Sequence, residues 1–350
     1  MNLQELQSVI EKTIRELAVR GEFHDRDLDR LLDALPDAIA SAVTAQADLA
    51  YDYLLHRTAS MLRDGRGIRR GFEKRLYKRW RRGIDLLDAY LMIAAEAGET
   101  FNKTYREEAA RTDDHLFEAL IRLQARAVQV GREVLSLLCA GFADGGHARW
   151  RTAHEIAVVA NFLKSRGRET ARRYLEHQVV ESYKAMMQYE EYADRLQYEH
   201  YSAEEYSHAK SLKESLCARY GEEFQGQYGW AAAALCKRNP RFFDIEQASG
   251  MDHLRPYYRM ASHNVHAGAK GIMFRLGVSD GLDLLLAGPS NQGLADPADG
   301  VARSVMQATV PMLVTRPDID NLATAKIMMR YVTEIGEAFL EAHRAMGERD

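Results

Sequence analysis

RRGFEKRLYKRWRRGIDLLDAYLMIAAEAG, residues 69–98, decides the fold. In it Phe72, Leu76, Trp80, Ile84, Leu87 and Leu91 recur every three or four positions, giving one apolar stripe on a helix of several turns. The strict alternation that a half-buried strand requires is absent. Working outward, the same periodicity runs through Asn2–Val19, Ala38–Leu62, His115–Ala140, Gly146–Lys164 and Arg168–Gln197, and each stretch predicts a helix. Six of the seven prolines (Pro240, Pro256, Pro289, Pro297, Pro311, Pro317) lie after position 239, which leaves the first two thirds open to long uninterrupted helices. Ser202 ahead of Glu204 and Glu205 predicts a capped helix start, running to Tyr220. Pro256 fits the first turn of a helix through about Ala269, where its missing N–H costs nothing. Gly277–Gly300 reads as a loop with one short element around Leu284–Leu286, and helices near Ala302–Leu313 and Asp318–Met346 close the chain. The expected fold class is all-α, a multi-helix bundle. The charged segment Asn102–Asp114 suggests a boundary near residue 110. It would divide an N-terminal helical region with a basic helix (1–110) from a helical core domain (111–350), packed together because few turn residues separate them.

The chain has 350 residues, 46% hydrophobic and 28% charged, enough to bury a large core. Its 47 Lys plus Arg against 51 Asp plus Glu leave a formal charge of −4, so the whole molecule is no generic polyanion binder and any nucleic-acid contact must come from a local patch. Cys139, Cys217 and Cys236 are odd in number and far apart, which excludes a disulfide framework and a Cys-based zinc cluster. With no basic stretch followed by an apolar run at the start and no apolar run of spanning length, a cytoplasmic protein without a membrane role is expected.

Such a patch exists. Between Met61 and Arg82 ten cations (Arg63, Arg66, Arg69, Arg70, Lys74, Arg75, Lys78, Arg79, Arg81, Arg82) face only Asp64 and Glu73. Phe72, Leu76 and Trp80 take one face of this helix, so the cations cover the others, where they suit phosphates or an acidic protein partner. The plainer alternative is a solvated face whose charges pair with neighbouring acidic helices.

A second cluster follows Pro256. In RPYYRMASHNVH (Arg255–His266), a helix at 100° per residue brings Arg259, His263 and His266 within about 60° of one another, with Arg255 and Ser262 at the border. Tyr257, Ala261 and Val265 would then face an apolar neighbour. A permanently charged guanidinium can hold a phosphate or a pentavalent transition state, and an imidazole can move protons near neutrality. Together they suit phosphodiester cleavage through a ribose 2′-hydroxyl, with no cofactor and no metal. The alternative is a buried polar seam that sets geometry alone. In Gly146–Lys164, His147, Arg151 and Glu155 follow at four-residue steps. Arg151 with Glu155 reads as an ion pair fixing helix register, able to orient His263 or His266 from behind, and His154 beside them reads as a satisfied core residue.

Other chemistries lack their residues. Glu205 and His208 have the spacing of a carboxylate-bridged metal site, but no second helix repeats it. The glycines of Gly141–Gly146 lack the Lys-Ser/Thr of a P-loop, and no Gly-x-Ser-x-Gly elbow occurs.

GFEKRLYKRW (Gly71–Trp80), AGFADGGHARWRTAHEIAVVANFL (Ala140–Leu163) and YRMASHNVHAG (Tyr258–Gly268) together resemble the bacterial domain-of-unknown-function family 5677, with a core from about residue 115 to 275. The resemblance implies an all-helical protein with the Arg-x-x-x-Glu stripe at Arg151 and Glu155 and a late histidine at His266. A more distant similarity is to the HEPN superfamily of helical RNases of toxin–antitoxin and antiphage systems, whose Arg, four to six residues, then His corresponds here to Arg259 and His266. It implies a HEPN-like core behind an N-terminal helical extension, a metal-independent endoribonuclease or RNA-binding protein of stress or phage defence, and a homodimer sharing its active site. On this expectation Arg259, His266 and His263 react, Arg151, Glu155 and His147 support them, and Arg69, Arg70, Lys74, Arg75, Lys78, Arg79 and Arg82 draw in the RNA. The competing expectation is a non-catalytic helical module docking an acidic partner.

Overall fold

A computed structural model of the protein describes residues 3–20, 25–278 and 284–347. The described residues are helical and irregular, with no strand among them. They divide into two compact units, Met1–Phe72 and Glu73–Asp350, so the division falls inside one helix.

The first unit holds α1 (Leu3–Val19) and the longer, N-terminal part of α2 (Asp25–Arg111), up to Phe72. The helices expected over Ala38–Leu62 and Arg69–Gly98 are thus not separate: α2 runs through both for 87 residues. Only Gly65 and Gly67 weaken the connection, each by about 1 kcal/mol relative to Ala; the proline of α2, Pro36, lies nearer its start. Leu31 to Ile68 is largely exposed, with Ile39 buried.

The second unit is built on the rest of α2, α3 (His115–Cys139), α4 (Ala143–Arg166), α12 (Ala295–Leu313) and α13 (Ile319–Gly347). The predicted stripe is its inner face: Leu76, Trp80, Ile84, Leu87 and Leu91 are all buried. Trp80 packs 5.6 Å from Phe339 of α13 and donates its indole N–H to Asn291 Oδ1 at 3.0 Å. Tyr90 donates to the Ala302 carbonyl at 3.0 Å. At Gly98 a methyl group would overlap the Gln124 side chain, whose amide donates to the Ala94 carbonyl at 2.7 Å, so glycine lets α2 and α3 approach. Trp150 ties α4 to α12 through Ser304 Oγ at 3.0 Å. The charged stretch around residue 110 is the end of α2 and the tight turn into α3, where Asp114 caps the helix and accepts from Arg168 and Arg316, each at 3.1 Å.

The smaller elements are α5 (Arg168–Glu176), α6 (Gln178–Leu196), α7 (Ala203–Tyr220), α8 (Ala232–Leu235), α9 (Phe242–Ala248), α10 (Arg255–His263) and α11 (Ala269–Met273). Ser202 caps α7 as expected, and Glu205 adds the reciprocal bond that the sequence reading had not named. Leu284–Leu286 form no regular element, residues 279–283 of the expected loop lie outside the described residues, and α12 begins earlier than predicted because Pro297 falls in its first turn. No described helix is long and apolar enough to cross a membrane.

Candidate site on helix α10

Pro256 sits in the first turn of α10 as expected, but the helix stops at His263 and does not reach Ala269. Asn264 and Val265 turn, with the N–H groups of Val265 and His266 both converging on the Ser262 carbonyl at 3.2 Å. The cause lies in α11: the bare α-carbon of Gly271 abuts the His263 carbonyl oxygen, so the chain folds back on the helix end. His266 therefore lies beyond the helix, exposed, and the shared helical face expected for all three residues is reduced to Arg259 and His263.

The buried face of α10 also differs from the expected one. Tyr258 and Ala261 are buried, whereas Tyr257 and Val265 are about half exposed. Tyr258 is anchored from α4: its hydroxyl donates to Glu155 Oε1 at 2.7 Å, and the Arg151 guanidinium lies 4.9 Å from its ring centroid. Burial and the neighbouring Glu155 carboxylate hold the Tyr258 phenol well above its ordinary range. Arg151 pairs with Glu155 at 3.1 Å as the spacing predicts. The pair meets α10 through Tyr258, which the sequence reading had not singled out.

Beneath α10 lies a charge cluster. Glu246 of α9 and His154 of α4 are wholly buried, with His154 Nε2 3.0 Å from Glu246 Oε1. A carboxylate only accepts, so Nε2 donates and Nδ1 is left without a partner. The other oxygen of Glu246 takes Arg255 Nη1, and the Arg255 guanidinium also lies 5.1 Å from the rings of both Phe243 and Tyr258. His147 is 2% exposed, stacks on Trp150 at 5.3 Å between centroids, and has its pKa pushed down by burial to about 4.

Arg259 has no such partner. It is exposed and makes no ion pair among the described residues. On one side it lines a cavity of about 500 Å³ with Pro256, Met260, His263 and Lys270. On the other it borders a cavity of about 980 Å³ with Tyr228, Lys237, Arg241 and Phe243. Arg255 edges both. His266 lines neither. Asn264, between the histidines, buries both polar atoms of its amide with no hydrogen-bond partner, which marks it as a further residue of this region.

On α2, Lys74, Arg75, Lys78 and Arg79 are exposed and unpaired among the described residues, as are Arg69 and Arg70 in the first unit. Arg82 is held by Glu334 at 3.1 Å and Glu341 at 2.9 Å, so for this residue the pairing alternative applies. Neither cavity beside Arg259 is lined by a cation of α2. Glu246 and Tyr258 escaped sequence reading for different reasons. Glu246 belongs to a short helix without a periodic pattern, and Tyr258 adjoins a second tyrosine with opposite exposure.

Residues 117–283 match the model of a family of unknown function, DUF5677. The matched stretch runs from α3 past α11 and contains Arg151, Glu155, Glu246, Arg259, His263 and His266. No curated protein and no solved structure matches.

Proposed function

We propose, for a chain whose residues 117–283 fall in a family of unknown function, that the outer face of α10 binds the RNA backbone and cleaves it through the adjacent 2′-hydroxyl. One observation carries this reading: an exposed guanidinium with no carboxylate partner among the described residues, Arg259, shares a cavity with an imidazole, His263, and an ammonium, Lys270. The cavity on the other side adds Arg241 and Lys237 with the rings of Phe243 and Tyr228, a mixture that suits phosphates and stacked bases.

In this scheme the imidazole of His263 takes the 2′-hydroxyl proton as the 2′-oxygen attacks phosphorus. Arg259 and Lys270 stabilise the charge on the phosphoryl oxygens. The bond to the 5′-oxygen breaks, and that oxygen takes its proton from solvent, to which His263 returns the one it accepted, giving a 2′,3′-cyclic phosphate and a 5′-hydroxyl; His266, outside both cavities, takes no part. Arg151 and Glu155 act only by seating Tyr258, and the cations Arg69 to Arg79 of α2 raise the local concentration of RNA. In the defence setting implied by the resemblance to HEPN nucleases, the substrate would be cellular or phage RNA. The unpaired cations of α2 support a second reading, docking of an acidic protein surface with no scission.

The test is incubation of the full chain with total RNA in chelator. Wild type should yield fragments ending in cyclic phosphate, and Arg259→Ala or His263→Ala should lose them by at least about a hundredfold, the scale of a removed acid–base group or charge stabiliser. An RNA profile unchanged by wild-type protein sinks the scission and leaves the docking reading.

A further inference from the structure

Within the first unit, residues 47–69 of α2 carry an apolar seam that the described residues leave exposed. Ala47, Tyr51, Leu54, Thr58, Met61, Gly65 and Ile68 alternate spacings of four and three, the period of a coiled coil, with Leu55 and Leu62 widening the stripe. Tyr51, Leu54, Leu55, Met61, Leu62 and Ile68 are between 49% and 74% exposed. Elsewhere in α2 the same kind of stripe, Leu76 to Leu91, is buried. A stretch this apolar and this open marks an interaction surface.

We infer that this seam pairs antiparallel with the same stretch of a second copy of the chain. Full overlap of Tyr51–Ile68 with its own reverse sets Leu54 against Gly65 and Thr58 against Met61, large beside small, with Tyr51 against Ile68. A parallel pair would set each residue against itself, leaving a gap at Gly65. The flanks agree. In the antiparallel register Asp48 meets Arg69, Arg57 meets Asp64 and Leu55 meets Leu62, each twice by symmetry. None of Asp48, Arg57, Asp64 and Arg69 has an ion-pair partner within the described chain. The charge of the helix is also polarised: residues 37–56 hold Asp37, Asp48 and Asp52 with no Lys or Arg, whereas residues 57–72 hold Arg57, Arg63, Arg66, Arg69 and Arg70 against Asp64 alone. An antiparallel pair lays acidic half on basic half, and a parallel pair stacks like on like. No α10 residue takes part in the pair; of the α2 cations assigned to RNA, it engages Arg69.

Sedimentation equilibrium of the full chain should give twice the single-chain mass at micromolar concentration. Leu54→Glu with Met61→Glu, both at exposed positions, should give the single-chain mass with the helical circular dichroism retained. Orientation follows from cysteines placed in a Cys236→Ser background. Tyr51→Cys combined with Ile68→Cys should form a covalent dimer on oxidation, and neither substitution alone should. A single-chain mass for the wild type, a dimer indifferent to the two glutamates, or cross-linking by the single cysteines would each overturn the inference.

Discussion

Glu246 holds Arg255 from beneath, the carboxylate wholly buried and the guanidinium about a quarter exposed, while Arg259, one turn further along the same helix, forms no ion pair among the described residues. Two arginines four residues apart are thereby given different work. Arg255 is spent on the fold, since its charge offsets that of a buried carboxylate that also accepts a hydrogen bond from His154. Arg259 is left exposed, as the proposed phosphate contact requires.

Glu246→Ala should therefore be among the most destabilising substitutions in the second unit. It strands the Arg255 charge and removes the acceptor of His154 together, and loss of one partner of a buried pair costs about 3–5 kcal/mol. Adding Arg255→Met should recover part of the loss by removing the stranded charge. Urea denaturation of the two variants checks both the size and the order; a loss below about 1 kcal/mol for the single variant contradicts the account.

The pH dependence of stability should carry the signature of His147. Its folded pKa lies near 4, below the roughly 6.5 of an unfolded histidine, so between those values the unfolded chain binds more protons than the folded one. Its contribution is complete above about pH 6.5 and drains away as pH falls towards 4, by roughly 3 kcal/mol in all. Burial also depresses His177, with the same sign, so the informative quantity is a difference. His147→Phe, which keeps a ring against Trp150, should flatten the acid limb relative to wild type in denaturation at pH 4.5 and 7. Parallel curves for the two proteins would refute the assignment.

Gly98→Ala tests how tightly α2 lies on α3. The added methyl meets the Gln124 side chain, which cannot move without giving up its bond to the Ala94 carbonyl. The usual gain from Gly to Ala in a helix, about 1 kcal/mol, should be reversed into a net loss of 1–3 kcal/mol, whereas Gly67→Ala, with no neighbour within 4 Å, should gain. Thermal melts of the two variants moving in the same direction would be inconsistent with this packing.

Leu76, Trp80, Ile84, Leu87 and Leu91 show why the fold was legible: a helix that buries one stripe writes the stripe at a fixed period, and nothing distant is needed to read it. The Arg151–Glu155 pair and the Ser202 cap were legible for the same reason, being set within one or two turns. His266 was misplaced on α10 because the signal that ends the helix is tertiary: Gly271 reaches back to the His263 carbonyl, and the local sequence from Arg255 to His266 contains no breaker after Pro256. Glu246 could not be connected to His154 and Arg255, because the 92 positions that separate it from His154 carry no periodic trace of the contact. The unbroken α2 was visible in the scarcity of proline but obscured by Gly65 and Gly67, whose helix-weakening cost is small against 87 residues of hydrogen-bonded helix.

The last prediction separates the cations of α10 from those of α2 as RNA contacts. Binding to single strands loses affinity with salt in proportion to the phosphates neutralised, with a slope of about −0.7 per contact. Arg259 and Arg241 border one cavity and lie exposed, so each should hold a phosphate directly; Arg259→Ala and Arg241→Ala should each lower the slope magnitude by about 0.7. Lys237 differs. Its ammonium lies 2.8 Å from Asp244, and that contact with the Arg241 backbone N–H holds the Asp244 carboxyl below its ordinary pKa range. Much of its charge is already compensated, so Lys237→Ala should change the slope by less than Arg259→Ala. Lys74→Ala and Lys78→Ala, on the outer face of α2, should each change it by the full step only if RNA runs along that helix as well. Titrating a short fluorescent RNA with 2′-O-methyl riboses, which lack the attacking hydroxyl, between 50 and 200 mM salt yields every slope from one set of isotherms. Equal slopes for wild type and Arg259→Ala would remove Arg259 from the phosphate contacts, and with it the basis for assigning chemistry to α10.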